Sequence, residues 1–170
     1  LHEGAYSLQA NSKTREGTNH PDRNAQFEFI NRDVKTQLRH HEPVISVDTK
    51  KKELVGNFKN NGREWRPIGR PVKVRVHDFE NPALGKVVPY GVYDLGRNHG
   101  WVNVGIDGDT AEFAVESIRR WWKTIGRRAY PNARTITITA DSGGSNSPRA
   151  RLWKYELQRF ANKTKIALRV

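Results

Sequence analysis

Apolar residues recur at helical spacing near the start of the chain, at Phe27, Ile30, Val34 and Leu38. Steps of three and four place them on one helix face, and Asp22 or Asn24 offers a capping oxygen for the first turn. This helix should end near His40-His41, because Pro43 disfavours helical backbone at Glu42. The pattern then changes. Val44-Ile45-Ser46-Val47-Asp48 is rich in β-branched residues and reads as a strand closed by an acid. From Thr49 to Lys86, Gly56, Asn60-Asn61-Gly62, Pro67, Gly69, Pro71 and Pro82 interrupt the chain. They predict hairpins, with short strands at residues 53–58 and 72–77. Residues 87–95 and 100–106 form two further β-rich runs around a Gly96-Arg97-Asn98-His99 turn.

The second half alternates. Asp109 is placed to cap a helix, with Glu112 completing a capping-box-like pair. Its apolar face would be Ala111, Ala114, Val115, Ile118, Trp121 or Trp122, and Ile125, with Gly126 as the stop. Thr135-Ile136-Thr137-Ile138-Thr139-Ala140 predicts a strand, again followed by an acid, Asp141. After a Ser142-Gly143-Gly144-Ser145-Asn146 turn, Ser147-Pro148 opens a helix carrying Leu152, Trp153, Leu157 and Phe160. Lys165 to Val170 begins a last strand. Residues 1–21 are polar and read as the tail of an upstream module plus a linker, which leaves residues 22–170 as the folded domain. Antiparallel-capable strands followed by alternating β and α predict an α/β fold, a mixed sheet with helices on its faces.

The chain has 170 residues, enough for one domain with a real core. Lys and Arg number 30 against 18 Asp and Glu, for a formal charge of +12. Such an excess favours a polyanionic partner, because counterion release from phosphates drives nucleic-acid affinity. There is no Cys, which excludes disulfides, thiolate zinc sites and a Cys nucleophile. There is no Met either, so the chain is expected to be excised from a longer one. No apolar run approaches the roughly 20 residues of a membrane span. The start, Leu1-His2-Glu3-Gly4, lacks a signal core, so a cytoplasmic location is expected.

The chemistry centres on Asp48 and Asp141, each following a β-branched run. Carboxylates at the C-terminal ends of neighbouring central strands lie where α/β sheets bind ligands. Two adjacent carboxylates repel unless a cation lies between them, and a hard ion such as Mg²⁺ suits oxygen donors. The bland alternative is a pair of strand-end acids capping turns. Lys50-Lys51-Lys52 flanks Asp48 and is the stronger candidate for phosphate contacts. Arg149 and Arg151 stand in a second basic and aromatic stretch, Arg149-Ala150-Arg151-Leu152-Trp153-Lys154-Tyr155. A third stretch, Arg119-Arg120-Trp121-Trp122-Lys123, should place its tryptophans in the core. Asp107-Gly108-Asp109 lacks the ligand series of a calcium loop. His40-His41 and His77-Asp78 have no partners at metal spacing, and Ser142 has no nucleophile elbow.

Several blocks together are similar to one family. Val44-Ile45-Ser46-Val47-Asp48-Thr49-Lys50-Lys51-Lys52-Glu53-Leu54-Val55-Gly56 resembles the first-aspartate block of the DDE domain of Rhodopirellula-type transposases, found in ISAzo-type insertion sequences. Pro89-Tyr90-Gly91-Val92-Tyr93-Asp94, the helix from Asp109 to Trp122, and Ile138-Thr139-Ala140-Asp141-Ser142-Gly143-Gly144-Ser145-Asn146 resemble it too. So does the start, Tyr6-Ser7-Leu8-Gln9-Ala10-Asn11, which looks like the junction after a helix-turn-helix region.

The resemblance implies a ribonuclease-H-like fold with a five-stranded sheet in the order 3-2-1-4-5 and a β-rich insert after the first strand. It implies Asp48 and Asp141 as the first two catalytic carboxylates, holding paired Mg²⁺ ions (or Mn²⁺ as substitute). The expected reaction is two-metal cleavage and strand transfer on DNA, with insertion-sequence terminal repeats and target DNA as partners. A homo-oligomer on DNA in the bacterial cytoplasm, near the nucleoid, follows as well. The family's third carboxylate, a Glu on a later helix, would lie after Val170, and Glu112, Glu116 and Glu156 do not match it. The chain alone is therefore expected to be inactive. Two other readings stay open: a non-catalytic DNA-binding remnant, and a ribonuclease-H-like nuclease with a different substrate.

Overall fold

The computed structural model describes residues 21–59, 65–77, 79, 83–106, 108–141 and 143–170. The expectations for residues 1–20, for the Asn60-Asn61-Gly62 turn and Pro82, and for Asp78, Asp107 and Ser142 lie outside the described residues. Two compact units divide the chain, Leu1–Asp33 and Val34–Val170.

Helix α1 (Arg23–Arg39) begins in the first unit, where Phe27, Phe29 and Ile30 are exposed. The stripe that predicted this helix is therefore not buried at Phe27 and Ile30. Its C-terminus falls where Pro43 placed it. His41 adopts φ 57°, its N–H donates to Leu38 O at 3.1 Å, and Glu42 N–H donates to Gln37 O at 3.0 Å. This left-handed cap satisfies two terminal carbonyls, with histidine in a place that favours glycine.

In the second unit β1 (Val44–Thr49) pairs antiparallel with β3 (Lys86–Asp94) and parallel with β5 (Thr135–Ala140). Strand β3 also pairs with β4 (His99–Gly105), and β5 with β6 (Ala167–Arg169). The two-residue β2 (Glu53–Leu54) meets the start of β3. Leaving β2 aside, the order β4-β3-β1-β5-β6 is the expected 3-2-1-4-5. The insert after β1 is less regular than predicted: residues 72–77 form no strand. They follow Pro71, which cannot donate to a ladder, and Arg75 N–H donates to Asn57 O at 2.8 Å as their described backbone tie to that segment.

Alternation sorts the sheet. Ile45, Val47, Tyr90, Val92, Ile136 and Ile138 form one core with α2 (Ala111–Trp121) and α4 (Arg151–Thr164). The helices contribute Val115, Ile118, Trp121, Trp153, Leu157 and Phe160. On the other face Val44 and Thr137 are buried, but Ser46, Asp48, Tyr93, Val102 and Val104 are exposed. Glu116 and Glu156 join α2 to α4: Arg119 contacts both, Arg120 binds Glu116 at 3.1 Å, and Arg159 binds Glu156 at 2.7 Å.

Three local expectations need correction. Thr110, not Asp109, caps α2, its hydroxyl accepting from Phe113 N–H at 3.2 Å. Gly126 does not stop the helix. A π-helical turn, Trp122–Gly126, and α3 (Arg127–Ala129) carry it on. Trp121, the last residue of α2, and Trp122, the first of this wide turn, are both buried. Gly126 is needed there because a Cβ would lie 2.4 Å from Trp122 Cε3. Finally, Ser147 does not cap α4, whose N-cap is Ala150. Ser147 instead closes a turn, its backbone carbonyl accepting from Ala150 N–H at 3.0 Å.

Candidate active site

Register brings the two predicted aspartates together. Strands β1 and β5 run parallel with Ser46 opposite Thr139 and Val47 opposite Ala140. One further step sets Asp48 beside Asp141, which immediately follows β5. Alternation puts Asp48 on the face away from α2 and α4, and both aspartates are exposed. Lys50, two residues on, pairs with Glu53 rather than with Asp48. Asp141 Oδ1 accepts a long hydrogen bond from Gly143 N–H at 3.4 Å. No lysine or arginine among the described residues forms a salt bridge with either aspartate.

The segment after Asp141 is anchored below this face. Gly144–Asn146 forms one 3₁₀ turn, with Ser145 and Asn146 buried. Gly144 sits at φ 54°, and a Cβ there would lie 3.3 Å from Asp109 Oδ2. Thr49 and Ser145 share a hydroxyl–hydroxyl hydrogen bond of 3.0 Å, and Tyr90 donates to Asn146 Oδ1 at 2.8 Å. Burial first, and then the charges of Asp109, Asp48 and Asp141, push the Tyr90 phenol well above its ordinary range, so it stays a neutral donor.

The remaining candidates fall around this end of the sheet or outside it. Lys50, Lys51 and Lys52 are exposed just past Asp48, while Arg149 and Arg151 are exposed at the start of α4. Glu112 is exposed, and Glu116 and Glu156 are held in the helix-joining network. Among the described residues no three His, Cys, Asp or Glu could together hold a metal. Two carboxylates do fit a divalent cation: they supply hard oxygens, and neither is in a salt bridge with a described lysine or arginine. A separate cleft of about 570 Å³ lies within the insert, lined by Phe58, Lys59, Arg66 and Arg70 among others, and contains neither aspartate. Pattern reading missed Asp109, Tyr90, Thr49, Ser145 and Asn146. Only the polar Ser145-Asn146 pair so soon after Asp141 hinted at them.

The profile of the Rhodopirellula transposase DDE domain matches residues 1–170. The chain belongs to this family. No curated protein matches the chain. Among solved structures, this DDE domain is similar to the Mos1 mariner paired-end complex with Mn, at 11% identity and a TM-score of 0.55. That alignment covers 99% of this chain and 48% of the other. The Mos1 transposase paired-end complex with left transposon end gives 12% identity, a TM-score of 0.52, and coverage of 98% and 47%. The chain thus spans about half the length of these transposases, and at such identities the likeness establishes the fold, a ribonuclease-H-like α/β architecture. Among the described residues no helix is long and apolar enough to cross a membrane.

Proposed function

We propose that this DDE domain carries out two-metal phosphodiester chemistry on DNA, cleaving and joining strands at insertion-sequence ends. Residues 22–170 form the catalytic domain in this reading. The observation that supports it is the register of β1 and β5, whose last pair, Val47 opposite Ala140, immediately precedes Asp48 and Asp141, both exposed. Asp48 and Asp141 would hold Mg²⁺, or Mn²⁺ in its place. Bound there, the metal would activate an attacking oxygen and stabilise the leaving one. Asp48, within a paired strand, is the fixed ligand, and Asp141, just past the end of β5, completes the pair. Lys50, Lys51, Lys52, Arg149 and Arg151 supply positive charge to the DNA backbone around that end of the sheet. Terminal repeats and target DNA would be bound by a homo-oligomer, in the cytoplasm of a bacterial cell.

Calorimetric titration with Mn²⁺ tests this on the 170-residue chain, Asp48→Ala and Asp141→Ala. Binding that either substitution abolishes is expected, together with no strand cleavage by this chain alone, because no third carboxylate joins the pair among the described residues. Binding indifferent to both changes would sink the metal reading and favour a DNA-binding remnant. Measurable Mg²⁺-dependent nicking by this chain would refute the expected inactivity. Preference for an RNA–DNA hybrid over insertion-sequence ends would favour the nuclease reading.

A further inference from the structure

The ladder between β1 and β5 ends at Val47 and Ala140, one residue short of the aspartates. Asp141 therefore sits on backbone that the sheet no longer holds. Its neighbour across the gap is a like charge, so without a cation the two carboxylates push apart. Something else must keep Asp141 close.

The 3₁₀ turn that follows is fastened at two consecutive residues. Ser145 shares its 3.0 Å hydrogen bond with Thr49, the last residue of the strand carrying Asp48. Asn146 accepts a 2.8 Å hydrogen bond from Tyr90 on β3, the other neighbour of β1. Asn146 is 3% exposed and Tyr90 fully buried, so water does not compete for that bond. Gly144 completes the turn in a left-handed conformation open to few other residues.

We propose that Thr49 and Tyr90, acting through Ser145 and Asn146, are positioning residues that hold Asp141 beside Asp48 in a geometry ready to share a divalent cation. This rests on the reading of the two aspartates as a metal pair. Neither hydroxyl is a ligand in this scheme: each bonds to the turn, and the turn sets where the Asp141 carboxylate lies. Partners that orient metal ligands typically contribute about 10–100-fold in metal affinity, and that is the effect to look for.

Thr49→Val and Tyr90→Phe each remove one bond while keeping shape, and Thr49→Ser keeps the hydroxyl. Mn²⁺ affinity by calorimetry, the electron paramagnetic resonance spectrum of bound Mn²⁺, and the unfolding midpoint should be measured together. The expected result is about tenfold weaker binding and an altered spectrum for Thr49→Val and Tyr90→Phe, with Thr49→Ser close to the parent chain. Parent-like affinity and spectrum in both deletion variants would overturn the positioning role while leaving the metal pair intact. Equal losses in Thr49→Ser and Thr49→Val would overturn it too, because the hydroxyl would then not matter. Should Tyr90→Phe unfold, the two Thr49 variants decide. If the parent chain binds no Mn²⁺, or Asp48→Ala and Asp141→Ala leave binding unchanged, the metal-pair reading fails and this inference with it.

Discussion

Asp94 and Asp48 belong to the same β1–β3 ladder, the first opposite Ile45 and the second opposite Gly91. Asp94 is 0% exposed on the helix-covered side. Its Oδ1 accepts from Tyr130 O–H at 2.6 Å and from Arg97 N–H at 3.2 Å. Asp48 lies on the opposite side, exposed, one residue past the Val47–Ala140 pair that Asp141 also follows. A buried carboxylate is tolerable only with donors around it, and Asp94 Oδ1 has recruited them from the end of α3 and the β3–β4 turn, while the buried Oδ2 has no hydrogen-bond partner among the described residues. Two exposed, mutually repelling carboxylates contribute nothing comparable to folding. Their placement makes sense for a ligand that arrives later. The two acids thus differ in setting: Asp94 is buried and held by the protein's own donors, and Asp48 is exposed where the proposed reading puts a metal.

The sharpest way to break this comparison is to add metal. At a Mn²⁺ concentration a hundred times the dissociation constant, the parent chain should gain about 2.7 kcal/mol of stability. The gain should vanish in Asp48→Ala and persist in Asp94→Asn, as read by the shift in thermal unfolding. Without metal the order reverses. Asp94→Ala should cost about 2 kcal/mol by chemical denaturation, since it strands buried donors, whereas Asp48→Asn should change stability by less than about 0.5 kcal/mol, as for most surface substitutions.

Alkaline pH gives a smaller contrast. Burial, and then the hydrogen bond to Asp94, push the Tyr130 phenol up, as burial and nearby carboxylates do for Tyr90. A raised folded-state value means the native state keeps its protons longer than the unfolded chain. That stability is fully present below the ordinary tyrosine value of about 10 and is lost as pH climbs beyond it. Tyr130→Phe should flatten the decline between neutral and alkaline unfolding curves. The smallest effect concerns neither aspartate: His41→Gly at the left-handed cap of α1 should stabilise the chain by about 1 kcal/mol, leaving Mn²⁺ affinity unchanged.

Much of the fold was legible in the linear pattern. The β-branched runs at Val44–Thr49 and Thr135–Ala140, the stripe on α2, and the Pro43 boundary of α1 are local signals that survived in three dimensions. Asp48 and Asp141 were visible because each closes such a run, and similarity to one transposase family joined them. Other features were not local. Thr110 rather than Asp109 caps α2, although both are capping residues, and Asp109 instead faces Gly144. The π-helical turn that begins at Trp122, and the burial of both Trp121 and Trp122 in the core, are recorded by no periodicity in the sequence. Tyr90 and Asn146 meet only because β3 and β5 flank β1 on opposite sides, so that the turn after β5 folds back over the strand between them. Short-range propensity writes elements into the chain, residue by residue. Pairings between residues far apart in sequence depend on strand order and on which face each side chain takes, and those exist only once the sheet has formed.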